Sequence, residues 1–226
     1  MSGSLVSPET RARVRGAMTP IALAFGKVGL TPNALTLIGF GIAILAALAA
    51  AGQSWLVAGL LVVFGGVFDL FDGALARATG KASPLGAFMD SVFDRWGEGV
   101  VYIGIAVGCV AASFDVGVFL TTTALVSAVM VSYARAASER EGFTPGKGMA
   151  NVGLAPREIR ILILTVGLIV TAVMGGTAIA EGAGSEWALG RPALAITLGL
   201  ISVLATITVI QRIVHVMRQA TSEEQQ

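Results

Sequence analysis

The sequence predicts an all-α integral membrane protein, six transmembrane helices preceded by an amphipathic helix on the membrane surface. Three observations carry that prediction. The 226 residues are 55% hydrophobic and only 13% charged, with a mean hydropathy of +0.82, the profile of a polytopic helical protein rather than a soluble domain. No charged residue occurs from Val28 to Phe68, a run too long for one span of about 20 residues. The cations are also one-sided. Arg191 alone of the fifteen Lys and Arg falls on the far side of the predicted helices, so the positive-inside rule places both termini in the cytoplasm of a multi-pass cell-membrane protein. The net charge of +1 gives no sign of a nucleic-acid partner.

Taken in order, residues 6–28 read as the interfacial helix. Ser7 is its cap, Pro8 lies in the first turn, Arg11, Arg13 and Arg15 dominate the first half, and Ile21, Leu23 and Phe25 the second. Such a basic segment favours anionic membrane lipids. The first span covers about 33–51, with Thr31 suited to cap it and Pro32 to its first position. Gly52-Gln53-Ser54-Trp55 breaks the long run, with Trp55 at the interface, and a second span follows at 55–78. A polar turn ending in Ser83-Pro84 leads to a third span, 84–112, and a turn near Ser113-Phe114-Asp115 to a fourth, 116–139. A polar loop, Glu141 to Ala155, precedes the fifth span, 156–176; an outer loop of 181–191, with Trp187 marking the interface, precedes the sixth, 192–217. The tail from Thr221 to Gln226 is expected to be disordered. No internal repeat and no cleavable signal peptide are visible, so residues 1–226 read as one domain. The single cysteine, Cys109, reads as a packed small residue.

Four of the five aspartates fall between Asp69 and Asp94. On helices, Asp69 and Asp72 (i, i+3) share one face and Asp90 and Asp94 (i, i+4) another. Two helices joined by the short turn at 79–84 would lie antiparallel and bring all four carboxylates to one end. A charged residue within a span costs roughly 2.5–3.5 kcal/mol on insertion scales, and like charges repel one another. Hard divalent cations, which prefer oxygen ligands, relieve both penalties.

Written out, the stretch is Asp69-x2-Asp72-Gly73-x2-Ala76-Arg77-x8-Gly86-x3-Asp90-x3-Asp94. All eight of the signature's fixed residues resemble, position for position, the motif of the CDP-alcohol phosphotransferase family. The resemblance implies a membrane enzyme that moves a phosphatidyl-type group from a CDP-linked lipid to an alcohol and releases CMP. It further implies two divalent ions, Mg²⁺ or Mn²⁺, held by Asp69, Asp72, Asp90 and Asp94, with Asp94 as general base, and a homodimeric assembly. Gly73 leaves room for the nucleotide, as Gly86 does on the next helix, and Ala76 completes the motif between them. Arg77 offers the diphosphate a fork of donors. Thr31, Pro32, Asn33 and Ala34 resemble the family's segment that helps bind the CDP moiety, and Ser83 matches a further nucleotide-contact position.

Arg135 ends the fourth span, Arg157 and Arg160 begin the fifth, and Arg212 ends the sixth. Single arginines at helix ends anchor a protein at the interface, but four from three helices around one cavity describe a pocket for an anionic acceptor such as a phosphorylated polyol. Their setting, Ser132-Tyr133-x-Arg135, Arg157-x-x-Arg160 and Gln211-Arg212, is similar to the phosphatidylinositol-phosphate synthase branch, whose acceptor is inositol phosphate. Ala137 departs from it, standing where relatives often carry a basic residue. Glycerol 3-phosphate also carries a phosphate and is the second acceptor compatible with these arginines. Intramembrane prenyltransferases also set paired aspartates against a diphosphate, but without this tight spacing. A divalent-cation transporter is expected to place carboxylates near midplane with polar residues on both sides. Glu98 reads as a packed or solvated residue, and His215 as interfacial.

Overall fold

The computed structural model describes residues 8–143, 152–177 and 189–223. Among these the chain forms seven helices: α1 (Pro8–Lys27), α2 (Pro32–Ala51), α3 (Trp55–Ala78), α4 (Pro84–Ala111), α5 (Asp115–Arg140), α6 (Arg157–Val173) and α7 (Gly190–Glu223). Their ends follow local chemistry. The Thr31 hydroxyl accepts from the Ala34 amide at 3.2 Å, and the Ser83 hydroxyl from the Gly86 amide at 3.1 Å, each just ahead of a proline in the first turn. Helix α3 stops at Gly80, whose φ of +66° lets the Lys81 amide reach back to the Ala76 carbonyl at 2.9 Å. The same reversal after α2 and α4 is made by Gln53 and Ser113, both at positive φ.

The helices pack as a closed ring. Helix α2 lies against α3, α3 against α6, α6 against α7, α7 against α5, α5 against α4, and α4 returns to α2, while α1 lies on the outside of α3. The two helices that carry the aspartates do not pack mainly on each other: α2 is wedged between α3 and α4 and packs on both. The wedge is possible because small residues line it. Gly97 of α4 faces Ala43 of α2, and Gly104 lies against the Ala47 backbone. The main core joins Ala46, Trp55, Tyr102, Ile105, Leu168, Leu198 and Ile201, and a smaller cluster of Ala22, Leu35, Phe71 and Leu75 seats α1 on α3.

Large apolar side chains also cover the outside, with Phe119 67% and Ile196 71% exposed, as lipid-facing surfaces require. Helices α2, α3, α5 and α7 are long and apolar enough to cross a membrane, so the protein is an all-helical integral membrane protein. Helices α4 and α6, expected as the third and fifth spans, carry charges along their length: Asp90, Asp94, Arg95 and Glu98 up to the middle of one, Arg157, Glu158 and Arg160 in the opening residues of the other. The last helix runs to Glu223, past the expected end at 217 and into the expected disordered tail. Ser7, residues 144–151 of the polar loop, Trp187 with most of the outer loop, and residues 224–226 lie outside the described residues.

Candidate active site

The carboxylates gather at the ring end formed by the starts of α2, α4 and α6 and the end of α3. Asp72 is 4% exposed, and its Oδ2 accepts a 2.6 Å hydrogen bond from the Thr36 hydroxyl of α2. Asp69 lies one turn earlier on α3, pressed so closely to α2 that a Cβ on Gly39 would stand 2.9 Å from its Oδ1. On α4, Asp90 and Asp94 are half-buried and lie within electrostatic reach of Asp69.

A guanidinium joins the two pairs. Arg157, at the start of α6, donates through Nη2 to Asp69 Oδ2 at 2.8 Å, and its Nη1 lies 3.1 Å from Asp94 Oδ1. Arg95 approaches the other Asp94 oxygen at 3.4 Å. Next to them a cavity of about 50 Å³ opens into the ring, with Thr36, Asp69, Asp94, Glu98 and Arg157 at its polar end and Phe40, Phe93, Leu61 and Leu164 in its apolar walls. A wider groove of about 460 Å³ runs between α1 and the α2–α3 ends, with Pro32 and Leu75 in its wall and Lys27 and Lys81 beside it.

The donor set, oxygen only and all anionic, fits a hard divalent cation. The Arg157 guanidinium shows that Asp69 and Asp94 can straddle one positive group. Among the described residues, however, no three acidic, histidine or cysteine side chains converge as a ready-made metal cluster.

The other predicted residues are placed as follows. Thr31 and Ser83 serve as helix caps, and Pro32 and Ala34 occupy the first turn they cap. The Asn33 and Ser83 side chains both flank Gly86, where a Cβ would lie 3.5 and 3.3 Å from their oxygens, so the α2 and α4 starts adjoin. Arg77 is exposed and folds back over Gly73, its Nη1 3.1 Å from where a Cβ would be; Ala76 is half-buried beside it.

The four arginines lie within electrostatic reach in succession, but not as four free donors, and only Arg157 lines the cavity. Arg212 senses the charges of Arg135 and Arg160, and Arg160 that of Arg157. Arg135 pairs with Glu139 at 2.8 Å. Arg160 is 1% exposed and grips both oxygens of Glu98, at 2.8 and 2.7 Å. Arg212 is also buried, donating to the Val152 and Val131 carbonyls. Among the described residues Arg157 alone of the four pairs with the signature aspartates.

Thr36 and Glu98 received no site role from spacing alone. A signal existed for Glu98, which continues the stripe of Asp90 and Asp94 one turn further. Thr36 lies on another helix, and only the wedge of α2 brings it to Asp72.

Residues 29–222 match the family model described as CDP-alcohol phosphatidyltransferase. The chain is 39% identical to the archaetidylinositol phosphate synthase of Pyrococcus horikoshii over 166 residues, covering 74% of this chain and 84% of that protein. It is 34% identical to the phosphatidylinositol phosphate synthase of Cutibacterium acnes over 214 residues, 94% and 98% of the two chains. The crystal structure of the Mycobacterium tuberculosis phosphatidylinositol phosphate synthase with CDP-DAG bound superposes with a TM-score of 0.71 at 29% identity, covering 88% of this chain and 92% of that one. The same enzyme in complex with manganese and citrate gives an equal score. With its signature carboxylates drawn to one end of a membrane ring, this chain is an enzyme of the CDP-alcohol phosphatidyltransferase family.

Proposed function

We propose that the protein transfers the phosphatidyl-type group of CDP-diacylglycerol, or its archaeol counterpart, to inositol phosphate and releases CMP. One observation carries the reading: Arg157 touches both aspartate pairs at the polar end of a single cavity. A phosphorylated acceptor held by that guanidinium has its hydroxyl beside Asp94. The acceptor oxygen bonds to the phosphorus that carries the lipid, the bond from that phosphorus to the CMP oxygen breaks, and the hydroxyl proton passes to Asp94.

Asp69, Asp72, Asp90 and Asp94 are the residues that would hold divalent ions, which supply charge neutralisation at the donor's diphosphate. Thr31, Pro32, Asn33, Ala34, Gly73, Ala76, Arg77, Ser83 and Gly86 form the donor side. The groove beneath α1 borders Pro32 and suits the lipid. Arg135 and Arg212 extend the positive field of the acceptor pocket, and Arg160 contributes charge from behind. Helices α2 to α7 act as six spans with the site and both termini cytoplasmic, in a homodimer.

The test is CMP release by purified protein with CDP-diacylglycerol or CDP-archaeol and each of inositol phosphate, glycerol 3-phosphate and unphosphorylated inositol. Release with inositol phosphate supports the reading. Release with glycerol 3-phosphate alone makes the product phosphatidylglycerophosphate, and release with unphosphorylated inositol alone removes the arginine pocket. No release with any alcohol points to a carrier of cations.

A further inference from the structure

The acidic stripe on α4 and the basic stripe on α6 make two rungs across the ring. Asp94 pairs with Arg157, and one turn deeper Glu98 pairs with Arg160. Helices α4 and α6 are not among the major packing pairs, so the cavity separates them and these rungs span the gap. The rungs differ. The outer one is 16% and 25% exposed at its two side chains, whereas Glu98 and Arg160 are 7% and 1% exposed. The inner rung is also the better built, with both Glu98 oxygens engaged and the third Arg160 nitrogen donating to the Ala155 carbonyl at 3.0 Å.

We propose that Glu98 is a positioning residue: by holding Arg160 across the cavity, it sets the start of α6 so that Arg157 reaches Asp69 and Asp94. The segment leading into α6 is held on its other side as well. The Thr208 hydroxyl accepts from the Leu154 and Ala155 amides at 3.1 and 2.9 Å, and Arg212 donates to the Val152 carbonyl at 3.1 Å. With α7 fixing one side, the Glu98 grip fixes the other. Arg157 and Arg160 are three residues apart and share a helix face, so a shift that releases one carries the other with it. A buried carboxylate in a largely apolar cavity is otherwise a cost without return. The inference rests on Arg157 as the acceptor-facing cation.

The test replaces the inner rung by a neutral apolar pair, Glu98→Met with Arg160→Met. Net charge beside the site is unchanged, and apolar replacement of a buried ion pair is commonly tolerated by the fold. The expected result is an acceptor KM raised about tenfold or more, the effect of losing a charge-assisted contact, with donor KM within about twofold. In an Arg157→Ala background the Met pair adds less than about twofold, because its effect already runs through Arg157. Should the Met pair not fold, Glu98→Gln takes its place and is expected to shift KM in the same direction by less.

Mn²⁺ affinity, read by electron paramagnetic resonance on the same four proteins, needs no acceptor and separates this inference from the reaction itself. The Met pair should move Mn²⁺ affinity as Arg157→Ala does, and add nothing to it. Wild-type acceptor KM in the Met pair, or effects that add in full to those of Arg157→Ala, would overturn the positioning role.

Discussion

Thr36 supplies the sharpest test of the site, because one atom does the work. Its hydroxyl has a single proton and two acceptors in reach, the Pro32 carbonyl at 3.2 Å and Asp72 Oδ2 at 2.6 Å, and the shorter contact to the carboxylate takes it. Asp72 is 4% exposed, so water cannot replace a lost donor. Thr36→Val keeps the branched shape against α3 and removes the donor alone. A hydrogen bond to a charged group is worth about 1.5–3 kcal/mol, which at 1.36 kcal/mol per decade is roughly 10- to 150-fold. The expected loss is of that size in kcat/KM for CMP release, measured across a series of Mg²⁺ or Mn²⁺ concentrations at a temperature well below the melting transition in detergent. Thr122→Val is the control. Among the described residues that hydroxyl bonds to carbonyls of its own helix, Val118 and Phe119, and its loss should leave activity within about twofold. A Thr36→Val protein with wild-type rates at every cation concentration would refute the idea that α2 sets the state of Asp72.

Asp94→Asn should abolish turnover yet leave CDP-lipid binding, measured by calorimetry, largely intact; loss of binding as deep as in Asp69→Asn would remove Asp94 from the proton-accepting role. Gly39→Ala places a Cβ 2.9 Å from Asp69 Oδ1 and must displace that carboxylate, so we expect Mn²⁺ affinity to fall by about tenfold, given a contact of this strength. Wild-type affinity would show that Asp69 binds no ion. At the opposite end, Arg191→Met removes donors to the Thr177 and Ala112 carbonyls and a cation over the Phe114 ring. It should lower the melting temperature by several degrees without changing either substrate's KM, and a KM shift would mean that the two ends communicate.

Helix starts were legible in the sequence because their signals are local. Thr31-Pro32 and Ser83-Pro84 announce them through one side-chain bond and one fixed φ, whereas the end of α7, which carries no such signal, was placed six residues short, at 217 rather than 223. The spacing of the aspartates was equally local, and the helices keep each pair on one face. What spacing could not show was closure of the ring. Two helices joined by a short turn usually pack together, yet here the shallow faces at Gly97 and Gly104 admit α2 between them. That choice depends on complementary surfaces from distant segments, and it alone brings Thr36 to Asp72. The arginines show the same divide. Their level at the helix ends could be counted along the chain, but whether each guanidinium faced a carboxylate, a carbonyl or a cavity depended on the opposing helix. Glu98 decided it for Arg160, and the Val152 and Val131 carbonyls for Arg212.

The two ends of the ring are closed by different kinds of bond, and the difference sets which end can work. Away from the carboxylates, Arg191 ties α7 to backbone carbonyls, and the Trp55 indole donates to the Thr177 hydroxyl, which in turn donates to Gln53. Trp55 itself is 2% exposed in the main core. Bonds to a backbone carbonyl in an apolar setting have no substitute once broken, since neither water nor lipid restores them. At the carboxylate end the closing contacts are guanidinium–carboxylate pairs between side chains about a fifth exposed. Such pairs exchange readily: a phosphate can take the guanidinium, and a cation the carboxylates, at little net loss of bonding. On the proposed function, one end is therefore a fixed closure, and the other would trade its internal ion pairs for substrate. The Glu98–Arg160 rung, 7% and 1% exposed, lies deeper than the Asp94–Arg157 rung above it, on the fixed side of that exchange.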